Sequence, residues 1–375
     1  MDNGLCLRAL TSADSNVGIV KALLISGQCP YNIHQRNSLR EAGVDAEIFE
    51  DWGIHLSDHL DAILAHAPDV VHLQWPESIC RHRDLPEEQI LKEFATTLPK
   101  FREAGIAVFW TMHNLLPHDR GKETFWREVY LLFAQHCDVC CHHSEWGKQR
   151  VLETYHFPHA SHVVLRHGYF HEDIFPSAPK EEARQRLNLP DDASVFLNVG
   201  AIRPDKQIAE LLDAFTGRTN EVLVLAGAAS GQYAAQQIER ASTMDNVIIH
   251  AGYTDDETVC LLANAADCFL FMQGDCHLTS GAPHLSQAHQ LPQITLDYPY
   301  AREVLGDAAI YIPANNQRFE KLGQLLDSLN REQLAHCREM ILQRRRLWHW
   351  SVIAAETKQA YEDAVRQVKS KSART

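Results

Sequence analysis

A chain of 375 residues is longer than the roughly 150 residues of an average domain, so two domains or one large α/β unit are expected and a short disulfide-stapled module is excluded. Apolar residues make up 45% and charged residues 22%, which excludes extended disorder and fibrous repeats. A net charge of -14 argues against a broad grip on nucleic acid, because phosphate binding relies on Lys and Arg.

Taken in chain order, short apolar runs alternate with longer helical patterns, as in a parallel sheet covered by crossover helices. Strands are expected at Leu5–Leu10, Ala46–Phe49, Val70–Leu73, Ala107–Met112, Val139–His142 and His162–Leu165. Helices are expected at Asn32–Ala42, Ile90–Ala104 and Glu123–Gln135. Residues 13–33 read as a loop and helix placed where acceptor loops commonly lie. The stretch SAPKEEARQRLNLPDD, with Pro179 and Pro190 flanking a charged helix, reads as a crossing between domains. Strands then resume at Val195–Val199, Glu221–Ala226, Val247–His250, Cys268–Met272 and Gln293–Leu296, alternating with helices that begin near Gln207, Gln232, Asp255 and His284. The fold class is therefore α/β, with two Rossmann-like arrays facing a cleft, and ligands are expected at the carboxyl ends of the strands.

Several strand ends carry chemistry that a plain loop does not need. In the first array these are Gln74-Trp75-Pro76-Glu77, His113-Asn114 through His118-Asp119, His143-Ser144-Glu145-Trp146 and Arg166-His167-Gly168-Tyr169. Histidines beside carboxylates supply what general-base chemistry needs near neutral pH. In the second array Gly200 allows a close backbone approach, and Arg203 with Lys206 places two cations before the helix QIAELLDAF, a pattern suited to a diphosphate. Ser280-Gly281-Ala282, opening a helix that contains His284, forms a second anion site. The Cys137-x2-Cys140 pair with Cys141, His142 and His143 nearby has no answering Cys-x2-Cys, so buried reduced thiols are the expectation there and no metal site is assigned. The start of the sequence, MDNGLCLRAL, lacks a cationic region followed by a long apolar core, and no run of about 18 apolar residues occurs, so a cytoplasmic chain that spans no membrane is expected.

The segments VVHLQWPE (70–77), TMHNLLPHD (111–119), VGAIRPDKQIAELLDAF (199–215) and TSGAPHLSQAHQLPQI (279–294) resemble, in order, motifs of the GT-B glycosyltransferases. They are most similar to those of the xanthan-type β-mannosyltransferases and neighbouring exopolysaccharide enzymes. The tail LWHWSVIAAETKQAYEDAV (347–365) resembles the terminal GT-B helix that crosses back to the first domain. The resemblance implies an acceptor domain at 1–175, joined by the helix at 347–375, and a nucleotide-sugar domain at 176–346. It implies transfer of a hexose, mannose-type favoured, from a nucleoside diphosphate sugar such as GDP-mannose to a saccharide or lipid-linked saccharide. No cofactor and no metal is called for. A nucleotide-sugar epimerase of the same design, or a non-catalytic nucleotide-sugar-binding module, is the alternative.

The residues so implied are Gly200, Arg203, Lys206, Gly227, Ser280, Gly281, Ala282 and His284 for the donor. Trp75, Asn114, His118, His143, His167 and Gly168 are implied for the acceptor. An inverting reaction needs a base, for which Asp119, His113 and Glu77 are the candidates with Asp119 first; a retaining one would set His113 against the donor sugar. Ser286 and Gln287 stand where the widespread retaining enzymes carry a ribose-binding Glu, so the ribose contact is expected elsewhere. The polar run HLSQAHQLPQ is expected to read a different sugar or base. The basic Arg344-Arg345-Arg346 run and the final VRQVKSKSART offer a peripheral contact with anionic membrane, or simply a solvated basic end.

Overall fold

A computed structural model describes residues 18–25, 29–49, 55–80, 85–117, 121–169, 178–273 and 278–372. The first sheet contains β1 (Lys21–Ile25), β2 (Asp45–Phe49), β3 (Val70–Leu73), β4 (Ala107–Thr111), β5 (Val139–His142) and β6 (Ser161–Val164). All pair in parallel, in the order β2-β1-β3-β4-β5-β6. The second sheet contains β7 (Ser194–Val199), β8 (Glu221–Gly227), β9 (Val247–Ala251), β10 (Cys268–Phe271), β11 (Gln293–Asp297) and β12 (Ala309–Pro313). These also pair in parallel, in the order β12-β11-β10-β7-β8-β9.

Each order reverses once, between β1 and β3 in the first sheet and between β7 and β10 in the second. Loops that leave neighbouring strands in opposite directions open a crevice at that point. Every residue of β3, β4 and β10 is buried, as expected for strands covered on both faces. The covering helices bury one stripe; in Ile208–Phe215 it is Ile208, Leu211, Leu212 and Phe215, spaced for a single face.

The expected strand at Leu5–Leu10 lies outside the described residues, and the strand that opens the first sheet is Lys21–Ile25. The stretch read as a loop and helix thus holds β1 and the start of the Pro30–Glu41 helix. Its Ala22, Leu23, Leu24 and Ile25 are all buried between β2 and β3, whereas a five-residue run carries no periodicity of its own. The strand β12 was not expected either. It is a short edge strand ending in Pro313, a position where the lost backbone donor is tolerated.

The long terminal helix, Trp350–Ser372, returns to the first sheet. Its Ala354, Tyr361, Ala364, Val365 and Val368 join Val70, Phe109 and Leu39 in one core cluster. The Tyr361 hydroxyl lies 2.6 Å from Nδ1 of His72, whose Nε2 lies 2.6 Å from the Thr111 hydroxyl. At the start of this helix the Trp350 ring covers Gly168 so closely that a Cβ there would lie 2.3 Å from it. Its indole Nε1 donates to the Tyr169 carbonyl at 2.6 Å.

A second tie joins the two sheets through the helix Glu145–Thr154, which follows β5. The Glu303 carboxylate, from the helix Pro299–Leu305 of the other half, accepts the backbone amides of Glu145 at 2.6 Å and Trp146 at 2.9 Å. A negative charge on the free amides of a helix start satisfies donors that have no partner within the helix and meets the positive end of its dipole. Glu303→Ala is expected to lower stability by about 1 kcal/mol. Urea denaturation checks this, and an unchanged midpoint would show that the carboxylate does not hold the two halves together.

Candidate active site

A cavity of about 510 Å³ lies where the two crevices face each other. The second sheet brings Val199, Arg203, Lys206, Gln273 and the turn Thr279–Ala282 to its wall, and the first brings Cys29, Pro30, Tyr31, Trp75, His113, Asn114 and His167. Gly200 adopts a left-handed φ of +148° at the end of β7, and Gly227 one of +149° at the end of β8. A Cβ on Gly227 would lie 2.1 Å from the Gly200 carbonyl oxygen, so the two loops approach at a distance that a side chain forbids.

The cations of this wall are held by neighbours. Arg203 meets Asp205 with both forks, Nε to Oδ1 at 3.0 Å and Nη2 to Oδ2 at 2.9 Å. Burial alone would raise the Asp205 carboxyl, but its hydrogen bonds from Arg203 and the charges of Arg203 and Lys206 outweigh this and leave it below its ordinary value. The Lys206 ammonium donates to Oε1 of Gln273. The nearby turn is fixed by Tyr300, whose hydroxyl accepts the Ser280 amide at 3.0 Å and lies 3.2 Å from the Thr279 hydroxyl. Burial pushes that phenol up to about 12, so it remains a neutral hydrogen-bonding group.

The opposite wall is a seam of rings. Tyr31 packs its ring against His113 at 5.3 Å, His143 at 5.6 Å, His167 at 5.0 Å and Trp350 at 5.4 Å between centroids. Trp75 stacks on His113 at 4.2 Å, and His167 stacks on His284 at 4.5 Å across the domain junction. Burial removes the proton from each imidazole. It takes His143 down to about 4 and His284 to about 3, and holds His113 and His167 well below the ordinary value, neighbouring imidazoles adding to the effect at His113, His167 and His284. Nε2 of His113 lies 2.8 Å from Oε1 of Gln74, whose amide nitrogen donates to Gln35 at 3.1 Å. That amide orientation makes Nε2 of His113 the donor and leaves Nδ1 as its acceptor.

Residues 179–343 match the family model for glycosyl transferases group 1. Sucrose-phosphate synthase from Thermosynechococcus elongatus superposes with a TM-score of 0.69 at 16% identity, covering 92% of this chain and 98% of that one. A trehalose-6-phosphate structure from E. coli bound with UDP-2-fluoro glucose superposes with a TM-score of 0.69 at 9% identity, covering 91% and 99%. The fold is GT-B. Among curated proteins, the GDP-mannose:glycolipid 4-beta-D-mannosyltransferase of Xanthomonas campestris pv. campestris is 33% identical over 150 residues, 39% of this chain and 37% of that protein. The lipopolysaccharide 1,2-N-acetylglucosaminetransferase of Salmonella typhimurium is 36% identical over 95 residues, 24% of each chain. This chain therefore spans well under half the length of these curated relatives.

The GT-B cleft brings together Trp75, His113, Asn114, His167, Arg203, Lys206, Ser280, Gly281 and Ala282 of the residues singled out from sequence. His143, Gly168 and His284 stand just behind, in the ring seam and under Trp350, and Gly200 and Gly227 shape the Arg203 loop. Glu77 does not line the cavity. Its carboxylate, carried on the tight Pro76–Ile79 turn, accepts instead from the buried Tyr130 hydroxyl at 3.3 Å. His118 and Asp119 lie outside the described residues. Sequence reasoning missed Gln273 and Tyr300; Gln273 follows β10 by two residues, so the strand-end rule would have found it, whereas Tyr300 acts from a helix with no local sign.

In the seam His143 and His284 are neutral in the fold, with values of about 4 and about 3, and His72 on β3 is held down to about 3, all below the 6.5 of an open chain. The unfolded chain therefore binds protons first, and stability is full above that ordinary value and falls as the pH drops towards the folded one. Each such group removes about 1.4 kcal/mol per pH unit inside that window. Thermal unfolding followed from about pH 7 to about pH 5 is expected to show a steep, continuous loss, and a flat profile would contradict the neutral seam.

Proposed function

We propose that this chain is a nucleotide-sugar-dependent glycosyltransferase that moves a hexose to a hydroxyl of a saccharide or lipid-linked saccharide in polysaccharide or glycoconjugate synthesis. The observation that carries the reading is one cavity with Arg203, Lys206 and the Ser280–Gly281 turn on one wall and neutral His113 on the other. In this reading the diphosphate displaces Asp205 from Arg203, and the released carboxylate stays close enough to fix the loop. Lys206 and the amides at the start of the Gly281–Ala288 helix take up the charge that grows on the leaving diphosphate. No divalent cation is needed for that role. The bond from the anomeric carbon to the diphosphate breaks while the acceptor oxygen bonds to that carbon, and the hydroxyl proton passes to Nδ1 of His113.

Of the three base candidates, His113 is the one on the cavity wall among the described residues, with its acceptor nitrogen fixed by Gln74. Asp119 stays in the proposal as the alternative base. Mannose from GDP-mannose is the favoured donor, supported by the similarity over 150 residues to a GDP-mannose-dependent enzyme. Of the basic run, Arg344 is turned inward to the Glu303 and Val304 carbonyls, so contact with an anionic surface would fall to exposed Arg346 and the end of the terminal helix.

A panel of GDP- and UDP-sugars tested for thermal stabilisation decides the donor, since a ligand at 100 times its Kd adds about 2.7 kcal/mol. Arg203→Ala and Lys206→Ala are each expected to weaken the active nucleotide sugar about tenfold or more. Equal stabilisation of all three proteins would remove the diphosphate assignment. Acceptor-dependent release of the nucleoside diphosphate supports transfer, a changed nucleotide sugar without acceptor would mean an epimerase, and binding without turnover a silent module. His113→Ala is expected to lower kcat by about 100-fold or more with little change in donor affinity. If Asp119→Asn rather than His113→Ala gives that loss, the base is Asp119, and a product of retained configuration would move His113 to the donor sugar.

A further inference from the structure

On β5 the side chains of Cys140 and His142 are two residues apart and therefore share one face of the sheet. The parallel register sets His162 of β6 beside Cys140. One ligand atom from each of the three, thiol or ring nitrogen, lies within 4.8 Å of the other two. Nε2 of His142 lies 2.9 Å from Nδ1 of His162, with the rings stacked at 5.2 Å. None of the three lines the interdomain cavity. We propose that Cys140, His142 and His162 form a binding site for a borderline-soft divalent cation, Zn²⁺ being the natural occupant, separate from the sugar-transfer site.

The facing ring nitrogens favour a ligand over plain packing. Nε2 of His142, a residue only 1% exposed, meets Nδ1 of His162, so two nitrogens converge beside the Cys140 thiol. Tetrahedral zinc holds nitrogens at about 2.0–2.1 Å, which sets two of them roughly 3.3 Å apart, so the observed pair needs to open by only a few tenths of an ångström. Lys148 opposes a cation, but its charge is offset by Glu145 at 3.6 Å.

The set is borderline in hardness, one sulfur with two nitrogens, which suits zinc and cobalt over magnesium or calcium. The cation displaces the Cys140 proton, the imidazoles stay neutral by moving a proton between ring nitrogens, and one proton is released per cation bound. β6 is the edge strand and His162 is half-buried, which gives the cation a way in and leaves the fourth position to water. The sequence pair Cys137-x2-Cys140 is not the site. Cys137 ends the preceding helix with its thiol turned to the Ala134 carbonyl, and the third ligand comes from 20 residues farther along the chain than His142.

The test uses the full chain, stripped with chelator, kept reduced and titrated with Co²⁺ alone. The expected result is a thiolate-to-cobalt charge-transfer band that saturates at one Co²⁺ per chain and is bleached by Zn²⁺. Cys140→Ser should abolish the band, Cys137→Ser and Cys141→Ser should keep it, and His162→Gln should weaken Co²⁺ about tenfold or more. No saturable band on the wild type, or a band that survives Cys140→Ser, overturns the site. If Cys140→Ser does not fold, His162→Gln on the edge strand decides, and a Co²⁺ affinity equal to wild type overturns it as well.

Discussion

Removal of the histidine seam from water is the constraint on which the arrangement of the two halves depends. Tyr31, His113, His143, His167 and His284 fill the space between the sheets only because each imidazole gives up its charge. A charged imidazole there would have to be desolvated, at a cost of several kcal/mol. The seam therefore joins architecture to chemistry: the conditions that let the halves pack are those that keep His113, on the cavity wall, uncharged.

The anion wall follows a different logic. In a chain of net charge -14, two bare cations on a loop would be drawn to acidic surface at random. Asp205 and Gln273 hold Arg203 and Lys206 in place instead, so their side chains are ordered before a ligand arrives. Such ordering lowers the entropy lost on binding, and it sets a threshold that only a strongly charged ligand with matching forks exceeds. The Tyr300 hydroxyl serves the same end for the Ser280 turn, from a helix that never touches the cavity itself.

Most of the strands were legible in the sequence because a parallel sheet buries both faces and leaves continuous apolar runs between helical patterns. The runs at 70–73 and 139–142 coincide with β3 and β5 to the residue. What could not be read were β1 and β12, whose identity as strands comes from the neighbours that flank them rather than from their own five residues. At the site, strand-end residues were legible because topology fixes where strands end. Groups that act through contact across the chain were not, and the inward turn of Glu77 toward Tyr130, 53 positions away, is the plainest case. The Cys140–His142–His162 grouping has the same origin, since lateral register between strands leaves no trace in linear spacing.

The Glu303 contact is asymmetric in what it demands of the chain. On one side it requires a carboxylate; on the other it uses main-chain N–H groups of residues 145 and 146, which every amino acid but proline supplies. The bonds therefore survive a change of side chain at exposed residue 145, whereas Trp146 is held separately by packing on Tyr300. Of the two surfaces that meet here, only the one carrying Glu303 owes these bonds to the identity of a side chain.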